Sequence, residues 1–222
     1  MPPYEVRAAG DAALIVRLPE KIDPQVNGWC IALARALRLN LPSVIRDIVL
    51  GYSSVTVYFD PLRLDAAWLE AEIETAIRDL ENEFGTGDEG ALTRAVVDVP
   101  VQYGGDHGPD LADVARFAGC SDADVIARHT RREYRVYLVG FVPGFAYMAE
   151  VEASIAAPRR ATPRTAVPAG SVAIAGGQTG IYPAVTPGGW NIIGRTPLLP
   201  YDPQRRQPFL FKPGDRVRFR SV

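Results

Sequence analysis

The chain has 222 residues, 47% of them hydrophobic and 23% charged, a composition that buries cores and excludes a disordered chain. Its formal net charge is −2 and its pI about 5.8, a balance that does not suit a dedicated nucleic-acid binder. Residues 1–20 lack a basic segment followed by an apolar one, and no run approaches 18 apolar residues, so the expectation is a cytoplasmic protein without export signal or membrane span.

Taken in order, Tyr4–Ala8 and Ala12–Leu18 read as strands, the second placing Leu14, Val16 and Leu18 on one face. Asp23-Pro24 opens a helix, with a capping carboxylate followed by proline in the first turn. Val26, Trp29, Leu33 and Leu37 follow at helical spacing. Ile45–Leu50 and Ser54–Phe59 pair around Gly51, and a second helix buries Leu69, Ile73, Ile77 and Leu80. The order β-β-α-β-β-α predicts two helices on one side of a mostly antiparallel sheet, a small α/β N-terminal domain over 1–84. The stretch 85–93, rich in glycine and acid, reads as a linker, and 94–222 as a second domain.

In that second domain Ala95–Val101 is an apolar strand, followed by short helices near Leu111–Ala118 and Asp122–Thr130. Ser121 with Asp124 forms a capping-box pattern on the second of these. Tyr134–Val139 is the next strand. Nine Gly and eight Pro fall between residues 140 and 200, about twice the density of the rest. Short apolar strands interrupt them at Ser171–Ala175, Gln178–Tyr182 and Trp190–Gly194, and Asp215–Arg220 reads as the last strand. Regular turns between short β-branched strands predict a closed or nearly closed barrel.

Familiar catalytic patterns are absent. No G-x-x-x-x-G-K-[ST] loop occurs, and Ser171 lacks both a G-x-S-x-G setting and an evident His partner. His107 and His129 have no Cys or His neighbours, so no metal site is expected. His107 reads as solvated, and His129 as a helix-terminal residue whose charge would favour the dipole. Cys30 and Cys120 read as buried reduced thiols.

What remains is a set of polar turns. Gly176-Gly-Gln-Thr-Gly180 and Tyr182 place an amide, a hydroxyl and a phenol beside backbone able to form an anion nest. Lys21 and Lys212 are the only lysines, leaving 22 arginines among 24 basic residues, so anion contacts fall to guanidinium forks. Arg159, Arg164 and Arg195 each sit beside a proline-containing turn, placed to grip a carboxylate or phosphate. Gly144-Phe-Ala-Tyr147 and Gly188-Gly-Trp190 set aromatics beside flexible backbone, which suits a pocket lip, a partner contact or a barrel core alike. Barrel corners need Gly and Pro, and surface arginines are common, so these residues by themselves leave a purely structural role open.

The order of motifs in this half carries a resemblance. Pro100-Val-Gln-Tyr-Gly-Gly105, Gly108-Pro-Asp-Leu111 and Gly140-Phe-Val-Pro-Gly-Phe-Ala-Tyr-Met148 come first. Pro158-Arg159, Thr162-Pro-Arg164 and Val167-Pro-Ala-Gly-Ser-Val172 follow, then Gly177-Gln-Thr-Gly-Ile-Tyr-Pro183, Thr186-Pro-Gly-Gly-Trp190, Ile193-Gly-Arg-Thr-Pro197 and Pro213-Gly-Asp215. The chain closely resembles the PxpB/KipI family, also labelled allophanate hydrolase subunit 1 or carboxyltransferase domain subunit 1. Ala146 and Met148 stand where the family usually has Pro and Leu, and Met fills the same apolar volume.

The resemblance implies an α+β protein, a small α/β domain followed by a cyclophilin-like β-barrel. It implies a non-autonomous subunit of an ATP-dependent 5-oxoprolinase, opening 5-oxo-L-proline to L-glutamate with a PxpC-like and a PxpA-like partner. The ATP site would lie on a partner or at an interface. Within that picture Arg159, Arg164 and Arg195 would handle carboxylate or phosphate charge. Gln178, Thr179 and Tyr182 would orient the lactam or carboxyl group, and the Trp190 loop would close the pocket. Replacing Arg164 and Gln178 together by alanine would then abolish activity of the complex without moving the thermal midpoint of the isolated chain. The family also includes urea carboxylase-related carboxyl-transfer subunits and KipI, which inhibits a sporulation histidine kinase by binding it. A prolyl isomerase would rest on the barrel analogy alone.

Overall fold

The computed structural model describes residues 2–84 and 96–222; the linker expected at 85–93 lies outside the described residues. The chain divides into two compact units, Met1–Thr93 and Arg94–Val222. Among the described residues no helix is long and apolar enough to cross a membrane.

The first unit comprises β1 (Glu5–Ala8), β2 (Ala13–Arg17), α1 (Pro24–Asn40), β3 (Ile45–Leu50), β4 (Ser54–Phe59) and α2 (Ala66–Phe84). The strands form one antiparallel sheet in the order β1-β2-β4-β3. Alternation puts Leu14, Val16, Val55, Val57 and Phe59 on the helix-covered face, against Val26, Leu33 and Leu37 of α1 and Leu69, Ile73 and Ile77 of α2. The carboxylate of Asp23 accepts from the Gln25 and Val26 N–H groups, so α1 starts where the Asp-Pro pair placed it. Cys30 is buried in this core, and burial pushes its thiol up to about 12.

The second unit is a barrel. Its strands are β5 (Val96–Tyr103), β6 (Glu133–Val139), β7 (Ala146–Ala149), β9 (Ser171–Ala175), β10 (Gln178–Ile181), β12 (Asn191–Arg195) and β13 (Arg216–Ser221). They close in the order β10-β7-β6-β13-β5-β12-β9. The β13–β5 pair is parallel and the others antiparallel. Two further strands, β8 (Arg164–Val167) and β11 (Thr186–Gly188), make a separate two-stranded ribbon. Helices α3 (Leu111–Ala118) and α4 (Asp122–Thr130) are joined through Gly119, whose left-handed conformation (φ 61°) ends α3. Ser121 and Asp124 form the expected capping box at the start of α4. The architecture is α+β with a closed seven-stranded barrel.

Alternation along the barrel strands sends Val99, Val101, Val136, Val172, Ile174, Val217 and Phe219 into one core. His129 belongs to that core, not to an exposed helix end. It is fully buried, its ring 4.6 Å from that of Phe219 and 5.2 Å from that of Tyr134. The Thr179 hydroxyl donates to the Ala173 carbonyl (3.0 Å), so its lone pair accepts the Nε2–H of His129 at 2.9 Å. Nδ1 is then the acceptor for the Tyr103 hydroxyl at 2.7 Å. Burial drives the His129 pKa down to about 3, so the ring is neutral and the expected favourable charge on the helix dipole does not exist. Cys120, expected buried, is half-exposed.

Candidate functional site

The sequence of β9, Ser-Val-Ala-Ile-Ala, alternates bulk. Val172 and Ile174 point into the barrel, while Ala173 and Ala175 lie on the outer face, where their small side chains leave room for a layer of rings. Phe145 is the centre of that layer. It meets Tyr147 (4.8 Å), Tyr182 (5.2 Å) and Trp190 (5.3 Å) edge-on, and Tyr147 meets Trp190 at 5.8 Å. Tyr182 and Trp190 are buried, whereas Tyr147 is half-exposed.

Gly188 of β11 lies against the Tyr182 ring so closely that a Cβ there would collide with the phenol oxygen. Burial raises the pKa of Tyr182, and the Trp190 backbone and the charge of Arg159 oppose the rise. Tyr147 is likewise raised by burial and drawn back by Arg159. Arg159 is exposed and close enough to act on both phenols.

Beside this layer sits a carboxylate that sequence reasoning passed over. Asp110, directly before α3, is 1% exposed and does not cap the helix with its side chain. It accepts from Arg160 Nη1 (2.5 Å), both terminal nitrogens of Arg164 (2.8 Å each) and the Ile192 N–H (2.7 Å). The approach depends on Gly108, where a Cβ would collide with the Ile193 carbonyl. The turn thus lies flat on β12, and the Asp110 N–H returns a bond to the Ile192 carbonyl (2.9 Å). An Asp ahead of an apolar helix reads as an ordinary cap, and its partners lie 50 and 54 residues away. The sole trace of it in the sequence is its place in the Gly108-Pro-Asp-Leu111 motif.

The structure therefore separates the residues singled out above. Arg159 is exposed and Tyr147 half-exposed, and both lie over the buried Phe145, Tyr182, Trp190 and Asn191. Gln178 is half-exposed and pairs across β9 with the outward Ala175. Arg164 is joined to Asp110. Thr179 faces the barrel interior, where it is fully buried against His129. Arg195 ends β12, four residues beyond Asn191 and so about 13 Å along the strand, with its Nε–H on the Ala169 carbonyl. The Gly176 N–H of the glycine turn is taken by the Ala157 carbonyl (2.7 Å). Among the described residues no three His, Cys, Asp or Glu side chains gather to hold a metal.

Residues 4–211 match the model of the carboxyltransferase domain, subdomains C and D. The chain belongs to this family. It is 40% identical over 221 residues to the B-type 5-oxoprolinase subunit of Bacillus subtilis, spanning 97% of this chain and 92% of that one. The corresponding 5-oxoprolinase subunit of Escherichia coli O157:H7 is 41% identical over 215 residues, with 95% and 92% covered. The crystal structure of TTHA0988 superposes with a TM-score of 0.81 at 40% identity over 95% of this chain, which spans only 39% of that longer polypeptide. Kluyveromyces lactis urea carboxylase shares the fold at 18% identity and a TM-score of 0.76, this chain spanning 22% of it. Family membership bears out the resemblance carried by the motifs.

Proposed function

We propose that the chain is the B-type component of an ATP-dependent 5-oxoprolinase, opening 5-oxo-L-proline to L-glutamate with a PxpC-like and a PxpA-like partner. The observation that carries this is near-full-length likeness to three B-type 5-oxoprolinase subunits, at 37–41% identity over 94–97% of this chain. The outer aromatic face of the barrel supplies one wall of the site. Arg159 meets an anionic group, Gln178 offers its amide to the lactam, and the half-exposed Tyr147, backed by the buried Tyr182 and Trp190, supports a flat ring. Arg164 acts through Asp110, Thr179 stiffens the interior behind the wall, and Arg195 serves the rim at the far end of β12.

Among the described residues, the lysine and the glycine turn that a triphosphate would call on are already engaged. Lys21 is paired with Asp23 at 2.7 Å, and the Gly176 N–H is already bonded. ATP is accordingly assigned to a partner or to an interface with one. The test is to co-express this chain with its two partners, supply 5-oxoproline and ATP, and omit each chain in turn. Glutamate release that requires ATP and all three chains is expected. Undiminished release without this chain, or none with all three, overturns the assignment.

A further inference from the structure

We propose that Arg159 is the carboxylate anchor of this site and that the buried Asp110–Arg160–Arg164 cluster is the device that positions it. The inference deepens the 5-oxoprolinase reading and rests on it. Three arginines lie between residues 159 and 164, and their geometry divides the work. Arg160 and Arg164 are committed to Asp110, because turning either outward would leave a buried carboxylate underpaired. Among the described residues Arg159 makes neither a hydrogen bond nor an ion pair.

The backbone on either side of Arg159 is fixed all the same. The Asn191 amide donates to the Pro158 carbonyl (2.8 Å), and the Arg160 N–H donates to the Gly189 carbonyl (2.8 Å). With the Arg160 side chain drawn to Asp110, Arg159 projects from a segment held at three points. A guanidinium presented in this way loses less freedom on binding than one on a loose loop.

The neighbours of Arg159 define the ligand. The backbone beside it is bonded to Asn191 and Gly189, the residues flanking Trp190, which sets Arg159 next to the aromatic layer and near the phenols of Tyr147 and Tyr182. One uncommitted fork beside aromatic surface suits a small flat ring bearing a single carboxylate. A phosphate chain calls for several free cations or a run of free backbone N–H groups.

The experiment uses the reconstituted three-chain complex and measures kcat and KM for 5-oxoproline and for ATP. Arg159→Gln is expected to raise KM for 5-oxoproline about tenfold to a hundredfold, the loss of one charge-assisted contact, with kcat and KM for ATP near their original values. Arg159→Lys should recover part of the loss. Asp110→Asn should also raise KM for 5-oxoproline, yet add little in an Arg159→Gln background, since it acts through Arg159. Should Asp110→Asn fail to fold, Asn191→Ala, which frees the Pro158 carbonyl, makes the same comparison. Unchanged KM for 5-oxoproline in Arg159→Gln overturns the anchor, and a rise confined to ATP overturns the carboxylate. Equal effects of Asp110→Asn with and without Arg159 overturn positioning. An unmutated complex inert on 5-oxoproline overturns the parent reading itself.

Discussion

His129 is neutral inside the barrel, with a hydrogen bond on each ring nitrogen, and this couples folding to pH. Its folded pKa is about 3 and its unfolded value near 6.5, so between these limits the unfolded chain binds a proton that the folded chain refuses. Stability therefore falls as pH drops below about 6.5, by at most about 1.4 kcal/mol per unit. The lowered carboxylates, Asp98 at about 2 and Asp124 and Glu152 below their ordinary values, withdraw their contributions only at more acidic pH. Urea denaturation between pH 7 and 5 thus isolates the histidine: the wild-type chain should lose roughly 2 kcal/mol and His129→Gln distinctly less. Parallel losses in the two proteins would contradict the argument. At Arg164 the expectation that replacement by alanine leaves the thermal midpoint unmoved gives way. Removing it takes two of the four hydrogen bonds from a buried carboxylate, so Arg164→Ala should cost about 2–3 kcal/mol, less than a wholly broken buried pair because Arg160 stays. Arg195→Ala, which loses one exposed contact, should leave the thermal midpoint within a degree or two, on the order of 0.5 kcal/mol.

Strands β9 and β10 were legible because they alternate apolar residues between glycine turns, and α1 and α4 because their caps are written in side chains. Strands β7, β8 and β11 were not. They span three or four residues each, β11 contains a proline, and their pairing is decided by what they cover. The candidate site shares this limit, since Arg159 and Tyr182 could be picked out by type while Asp110 and Tyr147 gain meaning only from neighbours distant in sequence. Gly188 shows how the β8–β11 ribbon is seated. Gly188→Ala drives a methyl into the Tyr182 ring and should cost about 1–3 kcal/mol, as overpacking does. Tyr182→Ala removes the obstacle, so adding Gly188→Ala to that variant should cost almost nothing further. If the glycine substitution is equally costly in both backgrounds, as read from denaturation midpoints, the ring is not what the glycine accommodates.

At the scale of the whole molecule the chain divides into two compact units. Every residue of the first sheet-and-helix core lies between Leu14 and Leu80, and every residue of the two barrel clusters between Val99 and Phe219. A core drawn wholly from one segment does not need the other to exclude water, and each segment exceeds the size at which small domains fold unaided. Met1–Thr93 and Arg94–Val222, expressed separately, should therefore each unfold in one cooperative transition. The tryptophans make the outcome readable, since Trp29 and Trp68 belong to the first fragment and Trp190 alone to the second. Trp190 is 4% exposed and packed edge-on against Phe145 and Tyr147, so the second fragment should emit as a buried indole and shift to the red on denaturation. The first fragment reports through Trp29, half-buried against its core, and the more exposed Trp68. A second fragment whose emission is already that of solvent-exposed tryptophan, or that melts without a sigmoid, would mean that the barrel and its aromatic face depend on the first unit to form.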